Sequence, residues 1–394
     1  MKVSKKRLLA AVGLLVAIAM VGTGCSGGNS GEVKIGIGAP LTAGATALGQ
    51  GMQRGADLAI EQANASSTVT AAGLKFSGVP GDDQGDPKTG VTVANTFASD
   101  PALVGVMGHL NSGVSIPASK VYAAKKIVMI SPASTNPALT AQGLDNVFRV
   151  CTTDAVQGPA AASFAFTLLG LKSAYVVDDS TPYGEGLASA FATAFQAAGG
   201  TVVGTAKTSD KDTDFTALVT KIKGTSPAVI YYGGIYNAGA LFAKQAKDGG
   251  ITAPFMGGDG LFDDQFIKLA GAPAAEGDFA TSVGYPTDKL PAGQEFIAAY
   301  GKKYPGQKQA AYDAYAYDAT NVIIAAVVKA AQSVGADKVT SPAGRAEIIK
   351  NVAAANTTGV TGPIAFDSKG DTTNKAITLY TVQGGAWVTK ALPQ

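Results

Sequence analysis

The sequence has few of the side chains that bind metals or form disulfides. Its 394 residues include one histidine, His109, and two cysteines, Cys25 and Cys151. A zinc site built from several histidines or cysteines needs more of these residues than the chain holds, and so does a disulfide framework. We therefore expect no metal site, and we expect Cys151 to be a small buried apolar side chain.

An excess of either charge is also lacking. Lysine and arginine number 31, aspartate and glutamate number 29, and the formal net charge is +2. Proteins that bind nucleic acid carry a basic excess, so we expect no nucleic-acid partner. Apolar residues make up 46% of the chain, which is enough for a sizeable core, and 394 residues are enough for two or three domains.

One long hydrophobic run is present, and it lies near the N-terminus. Residues 8–21 are apolar and uncharged, and they follow a basic segment at residues 2–7. The run is shorter than the ~20 residues that span a bilayer, and it matches the hydrophobic part of an export signal. This pattern excludes a protein with many membrane spans and predicts export from the cytoplasm.

The hydrophobic run ends in small residues and a cysteine, GTGC at residues 22–25. This segment resembles the lipobox of bacterial lipoproteins, whose cysteine is lipidated and becomes the mature N-terminus, although Gly22 stands where that box usually has leucine. The resemblance implies a signal peptide at residues 1–24, a lipid on Cys25 and a tether at residues 25–31, rich in glycine and serine. An ordinary cleaved signal with a chance cysteine is the alternative.

From residue 33 onward, short β-rich runs alternate with helical patterns. This alternation predicts an α/β fold with parallel sheets that are covered by helices on both faces. Near the C-terminus the alternation stops, and helices predicted at residues 292–303, 310–332 and 345–355 follow one another. The alternating strands are expected at residues 33–38, 74–79, 103–107, 127–130, 173–177, 201–204, 228–232 and 254–256.

Motifs for cofactors and catalysis are incomplete. Gly36 and Gly38 follow a strand, but Leu41 stands where a dinucleotide-binding motif needs its third glycine. His109 is the one histidine that could act as a base in a hydrolase, and a structural role beside its apolar strand is the alternative. We therefore expect no cofactor, no catalytic residue and no enzyme activity.

Two polar loops follow neighbouring predicted strands. They are residues 108–117, GHLNSGVSIP, and residues 131–137, SPASTNP. Open α/β sheets bind ligands at the carboxyl ends of their strands, and hydroxyls and free N–H groups near helix N-termini suit a carboxylate. The same residue types are common in turns and helix caps, so the spacing alone leaves both interpretations open.

These two loops resemble those of the leucine/isoleucine/valine-binding proteins, which are type I periplasmic solute-binding proteins of branched-chain amino-acid ABC importers. The resemblance covers nearly the whole chain from residue 33 onward. Further segments that carry it are residues 179–187, 231–234, 255–260 and 362–371.

The resemblance implies a fold of two doubly wound α/β lobes joined by a three-strand hinge. The first lobe would comprise residues 32–153 and 284–361, and the second would comprise residues 154–283 and 362–394. The late helices would then return to the first lobe, which would explain why the alternation of strands and helices stops there.

The resemblance also implies a site for a zwitterion, with the ligand carboxylate on the first lobe and the ammonium group held from the second lobe and the hinge. Residues that match the family's site are listed by role. The carboxylate would be held by Ser112, Ala133 and Thr135. The ammonium group would be held by Asp154, Tyr183 and Asp259. The pocket wall would consist of Leu48, Leu110, Asn111, Ser134 and Ile235.

Three departures from the family pattern concern the ligand and the first lobe. Leu48 and Ile235 stand where several relatives have an aromatic wall residue, and Asp259 stands where branched-chain binders have glutamate. Gly85 and Asn111 occupy the places of a disulfide in the relatives. We expect a branched-chain or other neutral aliphatic amino acid, with urea, short amides and aromatic acids as alternatives.

The function implied is that of an exported lipoprotein, anchored outside the cytoplasm, that captures an amino acid between two lobes. It would deliver this ligand to an ABC permease and its ATPase, and we expect it to act as a monomer. A ligand sensor of the same fold and a hydrolase that uses His109 are the rival hypotheses.

Overall fold

The structure is a computed structural model that describes residues 31–393. The predicted signal peptide, Cys25 and residues 26–30 of the tether lie outside the described residues. Within residues 31–393, no helix combines the length and the apolar character that a bilayer span requires.

The first part of the described chain forms a parallel sheet of five strands in the order β2-β1-β3-β4-β5. Strands β3, β4 and β5 are buried along their whole length, as expected for a sheet that helices cover on both faces, whereas the edge strand β2 is partly exposed. The elements in chain order are β1 (Gly31–Ala39), α1 (Thr46–Asn64), α2 (Ser67–Ala71), β2 (Leu74–Asp82), α3 (Pro87–Ser99), β3 (Leu103–Gly108), α4 (Ser112–Ala124), β4 (Val128–Ser131) and β5 (Val147–Arg149).

The second part builds a sheet of seven strands in the order β14-β13-β10-β9-β8-β6-β7. Strand β13 runs antiparallel to both of its neighbours, and the other pairs are parallel. The elements up to β10 are α5 (Asp154–Ser163), β6 (Ser173–Asp178), α6 (Pro182–Ala197), β7 (Thr201–Lys207), α7 (Thr216–Lys223), β8 (Val229–Gly233), α8 (Tyr236–Asp248), β9 (Phe255–Gly257), α9 (Asp264–Ala270), α10 (Ala272–Ala275) and β10 (Phe279–Val283). The predicted α/β fold with parallel sheets in two lobes is confirmed.

The late helices pack on the first sheet. Helix α12 lies against α1, β3 and β4, while α11 contacts α1 and α13 contacts β4. The antiparallel hairpin β11-β12 precedes the return of the chain to the second sheet. The elements are α11 (Pro291–Lys303), α12 (Asp313–Val334), α13 (Pro342–Ala353), β11 (Asn356–Gly359), β12 (Gly362–Ala365), β13 (Ile377–Gln383) and β14 (Ala386–Ala391).

The lobe boundaries stay a prediction. The contacts of residues 366–371 concern the third of these boundaries, which we placed between residues 361 and 362. Residues 366–371, which we assigned to the second lobe, lie against β5: the Arg149 N–H donates to the Gly370 carbonyl at 3.0 Å, and the rings of Phe148 and Phe366 have centroids 5.1 Å apart. These contacts favour a third crossing between Asp371 and Ile377.

Several predicted bounds differ from the observed ones for local reasons. Helix α13 begins at Pro342, three residues before the predicted start, because the Ser341 hydroxyl accepts a hydrogen bond from the Gly344 N–H and caps the helix. Helix α4 begins at Ser112, within the predicted polar loop of residues 108–117, and therefore contains Pro117.

Candidate functional site

The two polar loops lie side by side at the carboxyl end of the first sheet. The His109 carbonyl accepts a hydrogen bond from the Ser131 hydroxyl at 2.8 Å, and the Leu110 carbonyl accepts one from the Ser134 hydroxyl at 2.9 Å. The Asn136 N–H donates to the Ser112 hydroxyl at 3.2 Å. The loops therefore form one connected surface.

His109 is part of a buried network rather than of an open site. Its Nδ1 lies 2.7 Å from the Asp83 carboxylate, its Nε2 lies 2.9 Å from the Tyr122 hydroxyl, and all three side chains are buried. With both ring nitrogens occupied, the imidazole has no nitrogen left to accept a proton from a substrate. The arrangement supports the structural interpretation of His109.

Side chains from both lobes line one small cavity. The volume open to the centre of a water molecule is about 10 Å³, so the cavity holds about one water molecule. The lining residues are Leu48, Leu110, Asn111, Ser112, Ala133, Tyr183, Ile235, Gly260 and Tyr312. The first seven of these had been singled out in the sequence, and Gly260 and Tyr312 had not.

Asp259 connects the two sides of this cavity. It follows β9 and is fully buried, and its carboxylate accepts hydrogen bonds from the Tyr183 hydroxyl at 2.8 Å and from the Tyr312 hydroxyl at 2.7 Å. Burial raises the pKa of Asp259, and the hydrogen bonds from the two tyrosines oppose that rise. The carboxylate therefore lies directly behind two of the lining side chains.

Asp154 lies at the N-terminus of α5, where its N–H donates to the Thr135 carbonyl at 2.9 Å. Its side chain is 1% exposed, and neither carboxyl oxygen has a hydrogen-bond partner within residues 31–393. Burial raises the pKa of Asp154 to about 8, the charge of Asp259 adds to this rise, and the nearby Thr135 hydroxyl opposes it. Asp154 is thus a buried acceptor that lacks a donor.

Further buried polar atoms near Asp154 lack partners in the described part of the chain. They include the Thr135 hydroxyl, both amide atoms of Gln157 and the Tyr231 hydroxyl. Each buried polar atom left without a partner costs about 1–3 kcal/mol. A donor-rich group placed here would satisfy several of them at once, and a primary ammonium group offers three N–H donors.

Not every predicted residue takes the predicted place. Ser134 does not line the cavity, because its hydroxyl is hydrogen-bonded to the Leu110 carbonyl and to Ser115. Thr135, Asp154 and Asp259 are buried behind the lining rather than in it. The roles that we assigned to all of these residues remain predictions.

Sequence reasoning missed Tyr312, whose hydroxyl holds Asp259. It lies at the end of the loop before α12, and the helical pattern that begins there showed only a packing stripe. Cys151 is buried as expected, and burial raises the pKa of its thiol far above the ordinary value, which keeps it protonated.

Comparison with known proteins identifies the family. A family model described as "Periplasmic binding protein" matches residues 32–386. The Leu/Ile/Val-binding protein homolog 1 of Brucella melitensis is 35% identical over 382 residues, with 97% of each chain covered.

Solved structures agree with this match. A leucine-binding protein from Thermotoga maritima superposes with a TM-score of 0.83 at 29% identity, and 92% of this chain and 99% of that chain are covered. The substrate-binding protein of a branched-chain amino acid transporter from Streptococcus pneumoniae, solved with isoleucine, gives a TM-score of 0.80 at 25% identity, with 92% and 100% covered. The chain therefore belongs to the periplasmic binding protein family that includes the Leu/Ile/Val-binding proteins.

Proposed function

We propose that this protein captures a neutral aliphatic amino acid, such as a branched-chain one, between its lobes and delivers it to an ABC importer. The observation that carries the proposal is one small cavity lined from both lobes, with the Ser112 hydroxyl in its wall, the Asp259 carboxylate behind that wall and, among the described residues, unpaired carboxyl oxygens on the buried Asp154. This distribution complements a zwitterion. The names of the relatives from Brucella and Thermotoga support the same ligand class.

The carboxylate of the ligand would meet the two loops of the first lobe. The Ser112 hydroxyl accepts a hydrogen bond from Asn136 N–H, so its own O–H remains able to donate. Ser112 is also the first residue of α4, where helix N–H groups favour a negative charge. The Thr135 hydroxyl, buried without a partner among the described residues, is a second donor.

The ammonium group would meet the acidic side of the site. Asp154 offers two free oxygens, and Asp259 together with Tyr183 completes the acceptor side. A buried carboxylate gains most from a partner of opposite charge that also donates hydrogen bonds. Binding would therefore relieve the unfavourable burial of Asp154.

The ligand side chain would contact an apolar wall. Leu48, Leu110 and Ile235 are buried in the lining, and no Lys, Arg, Asp or Glu is among the described residues that line the cavity. An aliphatic side chain fits such a wall, whereas a charged side chain would lose its hydration without a partner.

Lobe closure would be the mechanism. The cavity holds about one water molecule, so an amino acid fits only when the lobes lie further apart. Contacts across the cleft include Asn136 Nδ2 donating to the Pro182 carbonyl at 2.5 Å and Lys308 Nζ at 3.0 Å from the Asp264 carboxylate. A ligand that touches both lobes favours the closed state, and capture needs no chemical step. We infer that the protein is not an enzyme.

We also propose the location and state of the mature protein. It would be exported, anchored to the outer face of the cell membrane through lipid on Cys25, and active as a monomer. The signal-like segment at residues 1–24 and the lipobox resemblance at residues 22–25 support export and anchoring.

A thermal-shift screen of the chain from Ser26 onward tests the ligand class. The panel comprises the twenty amino acids, urea, short amides and aromatic acids. A ligand present at 100 times its dissociation constant stabilises the folded state by roughly 2.7 kcal/mol. We expect Leu, Ile, Val or Ala to raise the melting temperature. A shift with non-amino-acid solutes alone would contradict the zwitterion assignment and leave the fold untouched.

A further inference from the structure

Arg149 ends β5 with a guanidinium group that is completely buried. Its Nε donates to Asp371 Oδ1 at 2.6 Å, and its Nη2 donates to the Thr140 hydroxyl at 2.7 Å. Its Nη1 donates to the carbonyls of Ser134 and Asn136 at 2.6 and 3.0 Å. A buried guanidinium is tolerated because its donors are paired in this way.

The two carbonyls that Arg149 holds flank Thr135. The Ser134 carbonyl belongs to the peptide group before Thr135, and the Asn136 carbonyl belongs to the peptide group that joins Asn136 to Pro137. The peptide group after Thr135 is held by the Asn136 N–H, which donates to the Ser112 hydroxyl at 3.2 Å. Together these hydrogen bonds fix the backbone on both sides of Thr135. The Thr135 carbonyl in turn accepts the N–H of Asp154, which starts α5. The orientation of both Thr135 and the start of α5 thus depends on the position of the 131–137 loop, which Arg149 holds.

Asp371 holds the guanidinium from the opposite side. Its Oδ1 also accepts a hydrogen bond from the Thr140 hydroxyl at 2.8 Å, and its side chain is 14% exposed. The preceding Gly370 has a φ of +92°, and a Cβ there would lie 2.1 Å from the Val147 carbonyl, so this segment is pressed directly onto β5. A part of the chain far away in sequence therefore anchors Arg149.

We propose that Arg149, anchored by Asp371, is a positioning residue for carboxylate recognition: it fixes the 131–137 loop so that Thr135 donates to the ligand carboxylate. This inference rests on the proposed function. Arginine suits the role because its planar fork reaches the two carbonyls, Thr140 and Asp371 together. A lysine keeps the charge but offers one nitrogen in place of three.

The test compares two ligands that differ at the carboxylate. Leucine and leucinol share the side chain and the ammonium group, but leucinol has no carboxylate. Their dissociation constants are measured by calorimetry for the wild-type chain from Ser26, for Arg149→Lys and for Asp371→Asn. The matched control is Asp145→Asn, which removes an exposed ion pair to Lys126 with an N–O distance of 2.8 Å.

We expect Arg149→Lys to weaken leucine binding by at least tenfold, equivalent to about 1.4 kcal/mol, with little effect on leucinol. The ratio of the leucinol to the leucine dissociation constant would fall by the same factor in Arg149→Lys. It would fall by a smaller factor in Asp371→Asn and stay unchanged in Asp145→Asn. A merely destabilised fold would weaken both ligands together and leave the preference intact.

Two results would overturn the inference. Folded variants that retain the wild-type preference for leucine over leucinol would show that Arg149 only stabilises the fold. If Arg149→Lys does not fold, the preference measured for Asp371→Asn is the test. Wild-type protein that binds leucine no better than leucinol would overturn the proposed carboxylate site, and this inference with it.

Discussion

Asp154 and Asp259 are both buried behind the lining of the candidate site, but in different surroundings. Tyrosine hydroxyls occupy both oxygens of Asp259, whereas the oxygens of Asp154 have no partner in the described chain. Ionising both of two neighbouring buried carboxyl groups is unfavourable because the two negative charges repel each other. The carboxyl group with fewer hydrogen-bond donors therefore keeps its proton. In the ligand-free protein that carboxyl is Asp154, whose pKa rises to about 8 through burial and the charge of Asp259.

Removing the charge of Asp259 is expected to abolish amino-acid binding while leaving the fold intact. For Asp259→Ala and the isosteric Asp259→Asn we expect about 100-fold weaker binding, because the loss of a charge-assisted hydrogen bond costs about 1.5–3 kcal/mol, or roughly 10- to 150-fold. Calorimetry measures the affinity, and circular dichroism verifies the fold. Unchanged affinity in both variants would show that Asp259 does not hold the ammonium group.

Stability of the ligand-free protein is expected to fall as the pH rises from about 5 to 8. In the unfolded chain Asp154 loses its proton near its ordinary pKa, whereas in the folded chain Asp154 keeps the proton up to about pH 8. Between these two pH values folding takes up a proton, so a rise in pH disfavours the folded state. Asp278 and Asp313, with pKa values raised by burial to about 7, act in the same direction.

The contribution of Asp154 is measured with Asp154→Asn, which does not titrate. Urea unfolding at several pH values between about 5 and 8 should show a shallower decline in the variant, by up to about 1 kcal/mol per pH unit. Identical slopes for wild type and variant would mean that Asp154 is already ionised in the folded, ligand-free protein.

Sequence reasoning reached some residues of the site and not others, for a physical reason. Leu110 and Ala133 follow strand ends, so a local pattern and the family resemblance could place them near a ligand. Arg149 and its partner Asp371 are 222 positions apart, and no local periodicity links them. Ser134 was assigned to the wall through the family resemblance, and its hydroxyl donates to the Leu110 carbonyl, a contact that the sequence does not reveal.

At the scale of elements, the contact between α1 and α12 depends on glycine. A Cβ on Gly55 would lie 2.1 Å from the Asp313 carbonyl, which is backbone and cannot move aside cheaply. We expect Gly55→Ala to destabilise the protein by about 1–3 kcal/mol because of this overpacking.

The matched control for Gly55→Ala is Gly301→Ala, since Gly301 lies in α11 with open space where its Cβ would be. Alanine favours helix over glycine by up to about 1 kcal/mol, so this variant should be slightly more stable than wild type. Denaturant unfolding measures both. Equal effects of the two substitutions would contradict the close packing of α1 on α12.

Element types followed from hydrophobic periodicity better than element bounds did. Strand β7 was predicted to end at residue 204 and continues to Lys207, because it pairs with β6 along its whole length. Pairing partners are distant in sequence, so local pattern alone does not determine where a strand stops. The start of α13 depended on one cap, Ser341, which the pattern of apolar residues does not reveal.

At the scale of the whole molecule, the alternation of strand and helix patterns predicted an α/β protein, and the family resemblance implied the two lobes. Periodicity alone does not say which sheet the late helices join. Helix α12 joins the first sheet through contacts with α1, β3 and β4, which are far away in sequence. The connections between lobes are the features that local patterns specify least.

Anchoring is a whole-molecule property that one substitution tests. Cys25→Ser should release the exported protein from the membrane fraction, because the lipid attachment site is lost. Cys151→Ser is the control, since this thiol is buried and should leave anchoring unchanged. The measurement is fractionation of expressing cells followed by mass spectrometry of the mature N-terminus. A Cys25→Ser protein that stays with the membrane would exclude anchoring through this cysteine.

Capture of a zwitterion between two lobes is tested most directly by titrating refolded, ligand-free protein with leucine, leucinol and 4-methylpentanoate. The last compound keeps the carboxylate and the aliphatic chain of leucine but lacks the ammonium group. We predict one leucine per protein and binding at least ~100-fold weaker for each analogue, because each loses one set of charge-assisted hydrogen bonds. If 4-methylpentanoate bound as tightly as leucine, the protein would be a receptor for simple carboxylates, and Asp154 and Asp259 would not hold an ammonium group.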